Sequence, residues 1–329
     1  VNEGAPATSS GANSTAPEVC VVGELNPDLI LYGVPGDPKP DHEYLLDGLR
    51  LTLGSSSAIF AHNLAALGTR VGMVSKIGAD AFGEMCLGWL RAADVDTSHI
   101  VVSKNNVATG ASIILTHPGH RFILTYPGTI FDLSYADLDL DYIFSARHLH
   151  VASYFLNRAL RPDLAKLFRE AKAHGLSTSL DTNDDPEGKW PAEILKEVLP
   201  HVDLLFPNER EALQLASEST LEAAVKKLAR HAKTVVAKLG GAGAIACTDD
   251  RQWLAGAIPV TPRDTVGAGD SFDAGYIHQF VKGSPVEQCL AFANLTGAYS
   301  TTQEGGTEAF RDRAALAQFL ASHAQDATR

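Results

Sequence analysis

The 329-residue sequence is poor in cysteine, methionine and positive charge. Its four cysteines, Cys20, Cys86, Cys247 and Cys289, show no C-x-x-C spacing. Neither a zinc ribbon nor a disulfide framework can be read from them. Three sit in apolar stretches and are expected to be buried thiols, which suits a reducing, cytoplasmic setting. Lys and Arg number 27 against 39 Asp and Glu, a net charge of −12. That balance argues against nucleic acid or an anionic membrane as partner. It leaves a small anionic ligand open, because one local cation can hold an anion. No run is long and apolar enough to span a bilayer. Two nucleotide signatures are also missing. There is no G-x-x-x-x-G-K-[ST] phosphate loop. No strict G-x-G-x-x-G follows the first strand, which disfavours a dinucleotide-binding dehydrogenase.

What is present is a 45% hydrophobic chain with 20% charged residues, enough for a large core. Residues 1–17 are small and polar, and read as a flexible leader. From "VCVVG" at 19–23 the chain alternates buried-strand and helix patterns. The expectation is an α/β fold: a three-layer, doubly wound, mostly parallel sheet with helices on both faces. The rhythm breaks in two places. Segments near 30–52 and 101–128 are strand-like and rich in turn residues, with a hairpin turn expected at Pro118 and Gly119. They predict a small β-sheet lid beside the main sheet. No linker divides residues 18–329.

One stretch carries chemistry. In "RDTVGAGDSFDAGY" (263–276), Phe272, Tyr276, Ile277 and Phe280 recur at helical spacing, so a helix begins near Gly269. A helix start has unpaired N–H groups and a partial positive charge. Gly267 and Gly269 leave those groups open to an anion such as a phosphoryl group in transfer. Asp270 fits two readings. It is either an acidic residue that favours a helix N-terminus or a base for a hydroxyl beside the anion. "LGGAG" (239–243) is a hairpin turn or a nucleotide-lining turn.

The motif "DTVGAGDSFDAGY" resembles the C-terminal signature of the ribokinase-like, or PfkB, carbohydrate kinases. The likeness runs in family order through "VVGELNPDLI", "LGSSSAIFAHNLAALG", "SKIGADAFGE", "SLDTN", "LLFPNEREA" and "AKLGGAGAIA". The resemblance implies an ATP-dependent phosphotransferase acting on a sugar hydroxyl. Asp270 would be the base and the Gly267-Ala268-Gly269 backbone the anion hole. Asn26, Asp28, Gly54, Ser55, Ser56 and Asn183 would hold the sugar. Asn208, Lys238, Gly240, Gly243 and Asn294 would line ATP. Glu211 would organise Mg2+ with Asn208, and Asp264, with the loop at Gly305, would serve an activating K+. The lid would close over the sugar and pair with a second subunit in a homodimer.

There is one departure. Ile59 and Phe60 stand where many members place a sugar-binding Asn, which admits a nucleoside such as adenosine as the alternative substrate. A non-catalytic sugar-binding relative would have lost the base or the anion hole, and both are intact. A sugar phosphate is less favoured for want of a basic cluster, although Lys76, Lys104 and Arg121 keep it open. His148 and His150 share a strand face and are expected to be structural or substrate-side. His117 and His120 flank the lid turn and are expected to be exposed.

Overall fold

The computed structural model describes residues 16–117 and 120–323. Residues 1–15 of the expected leader, and the expected turn at Pro118 and Gly119, lie outside them.

The strands are β1 (Val19–Val22), β2 (Pro27–Tyr32), β3 (Gly48–Leu53), β4 (Val71–Ile77), β5 (Ile100–Val102), β6 (Ala111–His117), β7 (His120–Tyr126), β8 (His148–Ala152), β9 (Ser177–Asp181), β10 (Leu204–Leu205), β11 (Thr234–Lys238), β12 (Ala244–Cys247) and β13 (Gln252–Ala255). The helices are α1 (Ser56–Ala66), α2 (Ala81–Ala92), α3 (Leu140–Phe144), α4 (Leu164–Ala173), α5 (Glu209–Ala216), α6 (Leu221–Leu228), α7 (Ala268–Phe280), α8 (Val286–Ser300), α9 (Glu308–Arg311) and α10 (Arg313–Ser322).

Nine strands form one sheet in the order β13-β12-β11-β10-β9-β8-β1-β4-β5. Pairing is parallel from β11 through to β5, and antiparallel at β12 and β13. Period-two alternation decides which residues meet which helix layer. In β1, Cys20 and Val22 join the core under α4, α5 and α6, while Val19 and Val21 join the core under α1, α2, α7 and α8. All four cysteines are free and buried.

Strand order reverses between β1 and β8. The chain leaves β1 towards β4 and β5, then returns to β8 and proceeds the other way. Such a switch point opens a crevice beyond the carboxyl ends of the strands, where ligands bind in α/β sheets.

The second sheet has the order β3-β2-β6-β7. Its strands cover 27–32, 48–53, 111–117 and 120–126, and so fall partly within the two segments expected from sequence. The start of the second segment does not belong to it. Residues 100–102 form β5 and pair with Ser75–Ile77 at the edge of the large sheet. Val101 and its neighbours are apolar enough for either sheet, and the preceding helix α2 delivers them next to β4. His117 is half-buried, with Nδ1 3.0 Å from the Val34 carbonyl oxygen, rather than exposed.

Candidate active site

The crevice at the switch point is built from strand ends. Just past β1, Glu24 is 3% exposed. Its carboxylate accepts from the Ser57 amide at 3.3 Å, the Ser57 hydroxyl at 2.7 Å and the Ser153 hydroxyl at 2.7 Å. It thereby ties the ends of β1 and β8 to the start of α1. Asn183, past β9, accepts from the Ser153 amide at 2.9 Å and donates to the Ser56 hydroxyl at 2.9 Å. Ser55, Ser153 and Asn183 all adopt positive φ, at 62°, 54° and 53°. Non-glycine residues held there carry strain, and such strain gathers at functional sites.

The lid contributes Asn26 and Asp28. The Asn26 amide donates to the Pro27 carbonyl at 3.1 Å and lies 3.5 Å from Asp28 Oδ1. Gly54 is required beside them, because a Cβ there would stand 2.0 Å from Asp28 Oδ1. Burial, then the nearby Asp270, Glu24 and Asp264, pushes the Asp28 carboxyl up to about 7.

Opposite these groups, α7 begins. Gly267 caps it at φ 72°, and the Ala268 amide reaches the Thr265 carbonyl at 3.3 Å. The amides of Gly267, Gly269 and Asp270 have no acceptor among the described residues. Asp270 is 9% exposed. Burial, then the charge of Asp181, pushes its carboxyl up to about 7.

Lys238 lies under this turn rather than out in solvent. Its ammonium sits 2.6 Å from Asp181 and 3.1 Å from Asp273. Asn208 and Glu211 form a reciprocal cap on α5: the Glu211 amide donates to Asn208 Oδ1 at 2.9 Å, and the Asn208 amide donates to Glu211 Oε2 at 2.9 Å. The stretch "NEREA" is therefore not a wholly solvated helix start. Glu211 is 5% exposed, and burial, then Asp181, lifts it to about 7. Glu211 and Asn208 offer hard oxygen donors of the kind a divalent cation prefers, and the open amides of α7 suit a phosphate.

The remaining expected residues have structural partners of their own. Gly240 opens and Gly243 closes the short turn between β11 and β12, with Gly243 at φ 95°. Asn294 donates to the Ala255 and Gly256 carbonyls at 3.1 and 2.9 Å, so its amide holds the strand beside α8. Asp264 accepts from the Val266 amide at 3.0 Å and the Gly305 amide at 2.9 Å, pinning the loop behind Gly267.

Two expectations need correction. Ile59 does not face a sugar. It is 3% exposed and packs against Gly267 and Gly306. Phe60 is in the core, stacked on His150 with centroids 3.8 Å apart. Ile59 follows Ser55 and Ser56 on the same side of α1, one turn on, where the Gly267 and Gly306 backbone covers it, while Phe60 points to the sheet. His148 and His150, by contrast, are internal and fit the structural reading: the Ser179 hydroxyl lies 2.7 Å from both rings, and burial lowers both to about 3. Sequence reasoning missed Glu24, Ser153 and Asp273. The one available signal was their position just beyond a strand or one turn into the glycine-led helix.

Comparison with known proteins gives the family. The family model described as "pfkB family carbohydrate kinase" matches residues 16–313. The ATP-dependent ribose-1-phosphate kinase of Halopiger xanaduensis is 28% identical over 292 residues, covering 88% of this chain and 94% of that protein. The ribokinase of Bacillus subtilis is 27% identical over 291 residues, covering 87% and 94%. The ribokinase II candidate of E. coli, solved in complex with ATP and Mg2+, superposes with a TM-score of 0.80 at 26% identity, covering 93% of this chain and 100% of that one. No helix among the described residues is long and apolar enough to cross a membrane. The chain belongs to the pfkB family of carbohydrate kinases, ATP-dependent phosphotransferases that act on sugars.

Proposed function

We propose that this kinase transfers the γ-phosphoryl group of ATP to a hydroxyl of a neutral sugar or sugar-like alcohol, with Asp270 as base and the Gly267–Gly269 backbone as anion hole. The carrying observation is the pairing of amides without acceptors and a buried carboxyl at about 7 on the same helical turn. Asp270 takes the proton of the attacking hydroxyl while the O–P bond forms and the bond from phosphorus to ADP breaks. The amides face the oxygens that gain charge. Asn26 and Asp28, on the inward face of the lid, hold other hydroxyls of the acceptor. Ser55, Ser56 and Asn183 frame its opposite side.

ATP would lie along Asn208, Lys238, Gly240 and Gly243 towards Asn294. Mg2+, when bound near Glu211 and Asn208, neutralises charge on the phosphates. K+ would act through Asp264 and the loop at Gly305. Nearby Ser300 and Thr307 each hold a buried hydroxyl without a partner among the described residues, which suits a polar guest there.

A neutral acceptor is favoured over a phosphorylated one, because Lys76 is held 2.8 Å from Asp132 and 3.1 Å from Asp137. The inward packing of Ile59 and Phe60 removes the apolar face that a nucleoside base would need. The outer face of the lid carries Leu49, Ile113, Phe122, Leu124 and Tyr126, each at least 38% exposed. A second copy of the lid would cover this apolar surface.

The test is a coupled ADP-release assay with ATP, Mg2+ and a panel of free sugars, ribose 1-phosphate and adenosine. Turnover confined to free sugars is expected. Turnover confined to adenosine, or to a phosphorylated sugar, overturns the substrate class.

A further inference from the structure

We infer that Lys238 and Asp181 form an oriented ion pair beneath the first turn of α7, with its positive end behind the Gly267–Gly269 amides and its negative end behind Asp270. This deepens the proposed reading of that turn and rests on it. It makes Lys238 and Asp181 positioning residues of the transfer centre rather than ordinary ligands of the nucleotide.

Three elements converge on the pair. Lys238 ends β11, Asp181 ends β9 and Asp273 lies one turn into α7. The Lys238 ammonium is 2.6 Å from Asp181 Oδ2, and 3.3 and 3.1 Å from the two Asp273 oxygens. The side chains of Asp181 and Asp273 are 3% and 1% exposed, while that of Lys238 keeps 12%. The carboxylate side is sealed, and the residual opening belongs to the lysine.

Gly269 defines where that opening points. A Cβ built on Gly269 would lie 3.5 Å from Lys238 Nζ and 3.8 Å from Cδ and Cε, in ordinary contact. Space alone would admit alanine there. What glycine provides is an uncovered ammonium beneath amides that have no acceptor.

The other end of the pair leads to the base. Asp181 Oδ1 accepts from the Asn183 amide at 3.0 Å, and the Asn183 side chain donates to the Ser56 hydroxyl at 2.9 Å. Ser56 in turn stands beside the Asp270 carboxyl and holds it down against the effect of burial. Both charges reach Asp270, where Asp181 outweighs Lys238, while the ammonium is the charge beneath Gly269.

That division matches the two tasks proposed for the turn. A base gains strength from a neighbouring negative charge, and an anion hole gains from a positive one. Without orientation the two charges would cancel at both places. Burial keeps water from screening either.

Asp273 completes the arrangement by holding Lys238 from the α7 side. Burial first, opposed by Lys238, drives its carboxyl well above the usual range, so of the two acids on Lys238 it is Asp181 that is held in the charged form. Glu24 also faces Asp270, as does Asp28 from the lid, and Glu211 faces Lys238 from α5.

The test compares K238M/D181N, K238R and G269S with the wild type. The double variant loses one charge of each sign, so no lone charge is left buried, and thermal melts check its fold. The first readout is inorganic phosphate titrated by 31P NMR, which needs no turnover. K238M/D181N is expected to bind phosphate about tenfold more weakly, and K238R to stay within about threefold of wild type. G269S leaves the pair intact but covers the ammonium, and is expected to weaken phosphate by a similar factor. The second readout is kinetic. In the double variant kcat is expected to fall about 100-fold while KM for the sugar stays within about threefold. Unchanged phosphate affinity in folded K238M/D181N or in G269S overturns the inference, whatever the turnover. Phosphate binding that depends on Lys238 in a protein that transfers no phosphate supports the ion pair and overturns the kinase reading instead.

Discussion

The Cα of Gly306 lies 2.6 Å from where a Cβ on Gly267 would stand. Gly267 also sits at φ 72°, in the left-handed region. The two glycines let the Asp264–Gly305 loop press against the start of α7 and fix the direction of its free amides. Gly267→Ala meets backbone, not a movable side chain, and adds the left-handed penalty of about 1 kcal/mol. It is expected to lower Tm by several degrees and activity by at least about 100-fold. Calorimetry and the ADP-release assay check this. A variant that matches wild type in both contradicts the account of the anion hole.

Asp270 makes a second prediction through pH. Its carboxyl, lifted to about 7 by burial and then by Asp181, must be ionised to act as a base. The value of kcat/KM is expected to rise with pH through about 7 and level above it. Asp270→Asn is expected to remove at least about 1,000-fold of turnover while ATP binding remains. Residual activity within about tenfold of wild type would show that another group takes the proton.

The same shift predicts a stability effect of definite sign. A carboxyl whose folded pKa lies above its unfolded value holds its proton more tightly when folded. Stability from it is intact below the usual carboxylate range and declines as pH rises through about 7. Asp270→Asn removes that cost. Its gain in Tm over wild type is expected to be larger at about pH 8 than at about pH 5. A gain that is equal at both would mean that the carboxyl is not lifted.

Glu24 is predicted to matter although it touches no proposed ligand. Glu24→Gln places an amide NH2 against groups that already donate from Ser57 and Ser153. A loss of about 1–3 kcal/mol is expected. Because Ser55, Ser56 and Asn183 hang on the same network, KM for the sugar is expected to rise more than kcat falls. A drop in kcat alone would place Glu24 in the chemistry instead.

The lid face predicts an assembly state. Ile113 faces Leu124 across the β6–β7 ladder and Leu29 across the β2–β6 ladder, which makes one continuous apolar row. Wild type is expected to sediment as a dimer, and F122E/L124E as a monomer with nearly unchanged Tm. A wild type that sediments as a monomer at micromolar concentration removes the lid as an interface.

The chain carried much of this in its order of residues. Alternating apolar strands and 3.6-period helices were enough for a parallel sheet with two helix layers, because burial on one face or both leaves a direct mark on local pattern. The Gly-Ala-Gly-Asp turn was legible for the same reason: glycines at a helix start have few other uses. Ile59 was misplaced because the backbone of Gly267 and Gly306, more than 200 residues on, covers it, and no local pattern announces that contact. Glu24, Ser153 and Asp273 left no trace beyond their position at a strand end or helix start, since each acts on residues tens to hundreds of positions away. Only the folded chain could set Lys238 between Asp181 and Asp273, because the charges that decide its role meet where β9, β11 and α7 converge. Pattern along the chain determined the layers; long-range electrostatics, which depend on distance through space, decided the site.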